Sequence, residues 1–151
     1  MGLTVTGLDG TVKWSRVYPA GAVPPLTGHK SHPYALAATK GGGGYAIGGL
    51  AVINDAEGIE QCQGRLIVMD SSGGALRWDR RFTSEAKNTN IECYGLQQTH
   101  DGGFILTCGT GVEPELHPHD SPRAKTWMVL VHRTNSTGSV PHATPPPSPP
   151  L

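Results

Sequence analysis

The sequence predicts an all-β fold of two antiparallel four-stranded sheets, related by an internal repeat and followed by a polyproline II tail. Three observations predict it. First, Tyr34-Ala-Leu-Ala-Ala-Thr39, a glycine turn and Tyr45-Ala-Ile-Gly-Gly49 return as Tyr94-Gly-Leu-Gln-Gln-Thr99, Asp101-Gly-Gly103 and Phe104-Ile-Leu-Thr-Cys108. Second, Gly10-Thr-Val-Lys-Trp-Ser-Arg-Val-Tyr18 returns as Gly74-Ala-Leu-Arg-Trp-Asp-Arg-Arg-Phe82. Both echoes have a period of about sixty residues, which suits one multi-stranded unit that must stack on neighbours to bury its faces. Third, 21 glycines punctuate the body, the 13 prolines crowd toward one end, and no segment reads as a convincing helix.

Taken in order, residues 5–18 read as strands around the turn Leu8-Asp9-Gly10, because an Asp-Gly pair supplies the positive φ of a tight hairpin. Residues 19–33 form a loop rich in proline and glycine. Tyr34–Thr39 and Tyr45–Leu50 are a hairpin across Lys40–Gly44, and Ala51–Gln63 is a polar excursion. Arg65-Leu-Ile-Val-Met69 is a continuous apolar run, as expected of a strand covered on both faces. Asp70-Ser-Ser-Gly-Gly74 is a turn, and Ala75–Phe82 is the strand that carries Trp78.

The second unit repeats this order with a hairpin over Glu92–Thr99 and Phe104–Cys108, an excursion over Gly109–Lys125, a buried strand Trp127–Val131 and a turn Arg133–Gly138. Where the tryptophan strand should return, Ser139-Val-Pro-His-Ala-Thr144 stands instead, and its proline argues against a central strand. Pro145-Pro-Pro-Ser-Pro-Pro150 reads as polyproline II. The expected organisation is a repeat domain over 1–138, with a leading strand within 3–18 and units near 34–82 and 92–138, then a tail over 139–151.

Composition narrows the function. Twelve basic residues balance twelve acidic ones, so no basic stripe is available to grip nucleic acid. No apolar run approaches the roughly 20 residues that span a bilayer. No signal peptide is visible at the N-terminus. Met1-Gly2-Leu3-Thr4-Val5-Thr6 fits an N-myristoylation pattern but reads better as a strand. Cys62, Cys93 and Cys108 match no zinc spacing. Cys93 and Cys108 lie on the two arms of one expected hairpin, as diagonal neighbours if the turn centres on Asp101-Gly102. A Cys93–Cys108 disulfide is the preferred pairing. Cys62–Cys93 is the alternative, and three thiols are the third possibility.

The Asp-Gly-Gly-aromatic hairpin, the apolar strand ending at Asp70-Ser-Ser-Gly and the Trp-x-Arg strand resemble extracellular propeller-type repeats. The resemblance covers about residues 3–138 and implies four-stranded antiparallel blades in a secreted or cell-surface protein. The first copy departs from it, with Gly42-Gly43-Gly44 in place of Asp-Gly-Gly, and the second lacks the Trp-x-Arg strand. The tail is similar to the hydroxyproline-rich glycoproteins of algal and plant walls. That resemblance implies hydroxylation at Pro145, Pro146, Pro147, Pro149 and Pro150, and an O-linked glycan at Ser148.

Other candidates are weaker. Asn135-Ser136-Thr137 is an N-glycosylation sequon in an expected turn. His117, His119 and Asp120 have metal-ligand chemistry, with Glu113 and Glu115 nearby, but their prolines mark a solvated loop, and no metal or cofactor is expected. Arg16 and Arg80 follow Trp14 and Trp78 by two, which places each pair on one strand face. That spacing allows a cation–π contact, but its recurrence favours scaffolding, and sugar stacking by Trp14, Trp78 and Trp127 would need exposed rings where repeat tryptophans are usually packed. No nucleophile constellation, paired carboxylates or phosphate loop is present, so no enzyme activity is expected.

Counting one leading strand, four in the first unit and three in the second gives two complete sheets only if the leading strand finishes the last unit. Two blades cannot enclose a propeller axis. The expectation is therefore a secreted structural glycoprotein that polymerises head to tail, with Val12, Trp14, Arg16 and Tyr18 as the donated strand beside Trp127–Val131 of the next copy. The expected partner is a further copy, with glycans as a second possibility. A carbohydrate-binding module and a fragment of a larger propeller enzyme or receptor are the alternatives.

Overall fold

The computed structural model describes residues 1–19, 30–54, 60–83, 89–111 and 128–139. These residues form nine strands in three antiparallel sheets. The first sheet is a hairpin of β1 (Gly2–Thr6) and β2 (Val12–Val17). The second has four strands in sequence order, β3 (Ser31–Ala38), β4 (Gly44–Asn54), β5 (Glu60–Asp70) and β6 (Leu76–Phe82). The third has three, β7 (Asn90–Gln98), β8 (Phe104–Gly111) and β9 (Met128–Thr134). A single 3₁₀ turn, Lys40–Gly42, is the helical content of the described residues. No helix among them is long and apolar enough to cross a membrane.

The strand arithmetic of the sequence is corrected. The hairpin expected around Leu8-Asp9-Gly10 is present, with Trp14 opposite Val5, so the segment counted as one leading strand contributes two. The sheets therefore hold two, four and three strands rather than four and four. The polar excursion after Leu50 is also corrected. Ala51, Val52 and Ile53 continue β4 and pair with Gln63, Cys62 and Gln61 of β5, so the hairpin extends to Asn54 and Glu60. Ala51 and Val52 are buried although adjacent, because the continuous apolar run Leu50–Ile53 sits on a strand covered on both faces. Pro33 falls within β3, where an edge strand tolerates the missing amide hydrogen.

Two apolar clusters hold the sheets face to face. Met1 and Tyr18, with Leu3 and Trp14, pack on Ile47, Ile67 and Met69 of the second sheet. On its other face, Ala46, Leu66, Val68 and Phe82 pack on Ile91, Cys93, Phe104, Leu106 and Cys108 of the third. The continuous run Arg65–Met69 is thus buried on both faces, with odd residues toward the first sheet and even ones toward the third. Fully burying side chains such as Leu66 or Phe104 contributes about 1.5–3 kcal/mol each.

Candidate functional site

The seams between sheets are where the repeat acts, and both are built from the same parts. In the first, the Trp14 indole donates to Ser71 O at 3.1 Å, Arg16 Nε to Gly73 O at 2.7 Å, and the Tyr18 hydroxyl to Gly74 O at 2.8 Å. In the second, Arg80 donates to Thr137 O at 3.5 Å. The two arginine contacts both span 57 residues of sequence. The aromatic contacts match as well, with Trp14 edge-on to Tyr45 and Trp78 edge-on to Phe104.

The gripped turns carry a glycine with positive φ at the same place, Gly74 (69°) and Gly138 (80°). A Cβ on Gly74 would lie 2.7 Å from the Trp14 ring, and one on Gly138 would lie 2.9 Å from the Trp78 ring. Glycine is required there both for the turn and for the close approach of the indole. Each Trp-x-Arg strand also carries a bulge just before the tryptophan, at Lys13 in β2 and Arg77 in β6, since Val5 pairs with Trp14 and Thr6 with Val12, as Val68 does with Trp78 and Met69 with Leu76.

Arg65 ties the first seam from beneath. It is 1% exposed and forms an ion pair with Asp79 at 2.6 Å. Its other donors reach Ser31 Oγ at 2.9 Å, Pro19 O at 2.5 Å and Tyr18 O at 3.5 Å. Sequence reading treated this arginine as the flank of an apolar run. Its burial follows from carbonyls at the end of the β1–β2 hairpin, which no local pattern announces.

The proposed assembly strand is therefore engaged at home. Trp14 is half-buried, Tyr18 is buried, and the exposed Arg16 is bonded within the chain, while Val12 is 63% exposed. Donating this strand to a neighbour would break all three seam hydrogen bonds. Trp127, its expected partner region, lies outside the described residues, as do His117, His119, Asp120, Glu113, Glu115 and the tail from Pro145 to Pro150, Ser148 included.

Cys93 and Cys108 are joined by a disulfide, which excludes the Cys62–Cys93 pairing. They sit directly opposite one another rather than diagonally. A bulge at Tyr94 shifts the register by one residue between Gly95 and Cys93. Cys62 pairs with Val52 in the ladder and its amide donates to Asn90 Oδ1 at 2.8 Å.

The same bulge recurs at Tyr34 in β3. Tyr34 and Tyr94 are 45% and 53% exposed and their rings lie 4.9 Å apart, with His32 stacked beyond Tyr34. The Tyr94 hydroxyl donates to the Glu92 carboxylate, and this hydrogen bond pushes the phenol's pKa well above the usual range. Sequence reading passed over these tyrosines in favour of the tryptophans. Their place at the head of each hairpin phrase was the available signal.

Asn135 is exposed in the turn that the second seam grips. Its Oδ1 accepts from Thr137 Oγ1 at 2.7 Å, Thr137 N at 3.0 Å and Ser139 N at 3.0 Å. The three bonds fix the sequon with its side chain at the surface.

The last sheet repeats the outward face of the one before it, but no neighbour covers it among the described residues. Ladder pairing aligns Ala46, Leu66 and Val68 with Ile105, Val131 and Arg133, and Gly64 with Val129. Ala46 and Leu66 are 0% exposed, whereas Ile105, Val131 and Val129 are 37%, 59% and 83% exposed. No family model, curated protein or solved structure matches the chain.

Proposed function

We propose that this chain is a structural subunit of an extracellular polymer, built by stacking its repeat units head to tail between copies. The observation that carries this reading is the face of the last sheet, which no described residue covers. Ile105, Val129 and Val131 lie in solvent where the preceding unit buries Ala46 and Leu66 under its neighbour. A unit of a stacked array cannot bury its faces alone, and the face-to-face packing of the second sheet on the third supplies the pattern for a further contact, made without a Trp-x-Arg grip because β7–β9 have no such strand. A head-to-tail contact that does not close produces an open filament.

The receiving face at the other end is the outer side of β1–β2. There the Thr4 and Ser15 hydroxyls share one hydrogen bond at 2.9 Å, which reduces their polar surface and leaves methyl and backbone groups to meet the incoming apolar face. Stacking of this kind keeps Trp14, Arg16 and Tyr18 in their own seam, so it replaces exchange of the strand itself. The disulfide fits an oxidising compartment. A glycan on Asn135 and modification of the Pro145–Pro150 run complete the proposal of a secreted glycoprotein, with the tail as a stiff projecting strut.

Analytical ultracentrifugation tests it. Wild-type protein should sediment as a concentration-dependent series of oligomers, and Val129→Glu/Val131→Glu should sediment as a folded monomer. A wild-type chain that stays monomeric at every concentration would remove the proposal.

The second reading is a carbohydrate-binding module, and the exposed Tyr34–Tyr94 pair favours it. Two adjacent phenol rings could stack on a sugar. Tyr34→Ala/Tyr94→Ala abolishes glycan-array binding under that reading and leaves assembly intact under the first.

A further inference from the structure

A second feature of the unit seam lies at its turn end and is independent of assembly. A cleft of about 540 Å³ opens between the second and third sheets, lined by Thr39, Lys40, Arg77, Trp78, Arg80 and Gln98 among others. Its volume lies within the range of small-ligand sites. Three cationic residues line it, and among the described residues no carboxylate does. Among the described residues neither Lys40, Arg77 nor Arg80 belongs to an ion pair, whereas the nearby carboxylates are taken, Asp79 by Arg65 and Asp101 by Arg133. Arg77 reaches the cleft because the bulge in β6 brings it beside Trp78, and it donates one bond to Gly43 O at 2.6 Å.

The floor of the cleft holds an unanswered hydroxyl. Thr39 is 8% exposed, and its Oγ1 has no hydrogen-bond partner among the described residues. Its counterpart Thr99 bonds Asp101 at 2.5 Å, but the first unit has Gly41 where the second has that aspartate. A buried polar atom without a partner is unfavourable, and a ligand hydroxyl or anion at the cleft would satisfy it. Gln98 is held in place, accepting from Lys40 N at 2.6 Å and donating to Gly102 O at 3.1 Å. Ser136 and Thr137 complete a wall of small polar groups beside the Trp78 ring.

We propose that this cleft binds an acidic saccharide, a short chain of sugar rings carrying carboxylate or sulfate groups. The cations select negative charge, the guanidinium groups suit planar or forked oxyanions, and the hydroxyl, amide and indole groups suit sugar rings. A single inorganic anion would leave most of the volume unfilled.

Isothermal titration of the full chain with tetragalacturonate, a sulfated galactose tetrasaccharide and uncharged maltotetraose tests the assignment. At least one charged ligand binds, maltotetraose does not, and raising NaCl from about 50 mM to about 500 mM weakens binding. Lys40→Gln/Arg77→Gln binds at least about tenfold more weakly. Thr39→Val is the sharper variant. It loses about three- to tenfold in affinity while the free protein unfolds at no lower denaturant concentration, because the hydroxyl has no partner to lose. Binding of maltotetraose as tight as that of the charged ligands, no binding of either charged ligand, or unchanged affinity in both variants overturns the proposal. Inorganic sulfate binding as tightly as the sulfated tetrasaccharide overturns its saccharide part.

Discussion

Trp78 stands edge-on to Phe104, with ring centroids 5.8 Å apart and planes at 73°. Sixty-four residues earlier in the sequence, Trp14 stands to Tyr45 at 5.9 Å and 64°. The repetition makes the seam a property of the repeat unit rather than of one place in the chain. It is also why an uncovered third face has structural meaning.

The first prediction concerns this contact. A double-mutant cycle of Trp78→Ala and Phe104→Leu should give a coupling of about 0.5–1.5 kcal/mol. Gly138→Ala and Gly74→Ala should each cost more than Gly10→Ala. All three glycines have positive φ, but a Cβ meets an indole at the first two and open space at the third. Urea unfolding of the three variants checks the order, and equal losses would show that the indole approach is not tight.

Arg65 gives the second prediction. Arg65→Met leaves the part-buried Asp79 without its partner, and losing hydrogen bonds to a charged group costs about 1.5–3 kcal/mol. Adding Asp79→Leu should recover part of that loss. If the single variant is as stable as wild type, the ion pair does not tie the first seam.

The third prediction is covalent. The loop between Cys93 and Cys108 spans 15 residues, and closing it is worth about 3 kcal/mol in the chain-entropy model. Protein isolated from its native source, denatured without reductant, should take up one equivalent of a thiol probe at Cys62. Uptake of three equivalents would contradict the pairing.

Much of this was legible in the sequence. The paired hairpin phrases placed β3, β4, β7 and β8, and the tryptophan phrases placed β2 and β6. The Arg65–Met69 run marked a strand covered on both sides, as β5 is. What the sequence did not disclose were the bulges. Strand alternation has a period of two, and one inserted residue resets it without leaving a compositional mark. The turn pairs Gln98 with Phe104, one residue off the expected register, and the bulge at Tyr94 adds the second residue that turned an expected diagonal cysteine pair into a direct one, while the bulge at Arg77 brought a second arginine into the cleft beside Trp78. The unpartnered hydroxyl of Thr39 was equally silent, since it follows from a glycine replacing an aspartate two residues on.

The fourth prediction concerns pH. His132 is half-buried against Phe82, with ring centroids 4.6 Å apart, and burial lowers its pKa below the ordinary 6.5. The unfolded chain therefore takes up the proton first as pH falls. Stability should be constant above the ordinary value and decline as pH drops through 6.5 toward the lowered folded value. His132→Leu should remove that part of the decline, as read by denaturant midpoints at about pH 7.5 and 5.0, values that bracket the imidazole range. An identical pH slope in wild type and variant would assign the decline elsewhere.

Negative-stain electron microscopy of protein isolated from its native source tests the assembly claim most directly. The account predicts unbranched filaments that shorten or vanish in the Val129→Glu/Val131→Glu variant expressed in the same host. Uniform particles the size of one chain, or an assembly that stops at two copies joined through their exposed valine faces, would contradict it.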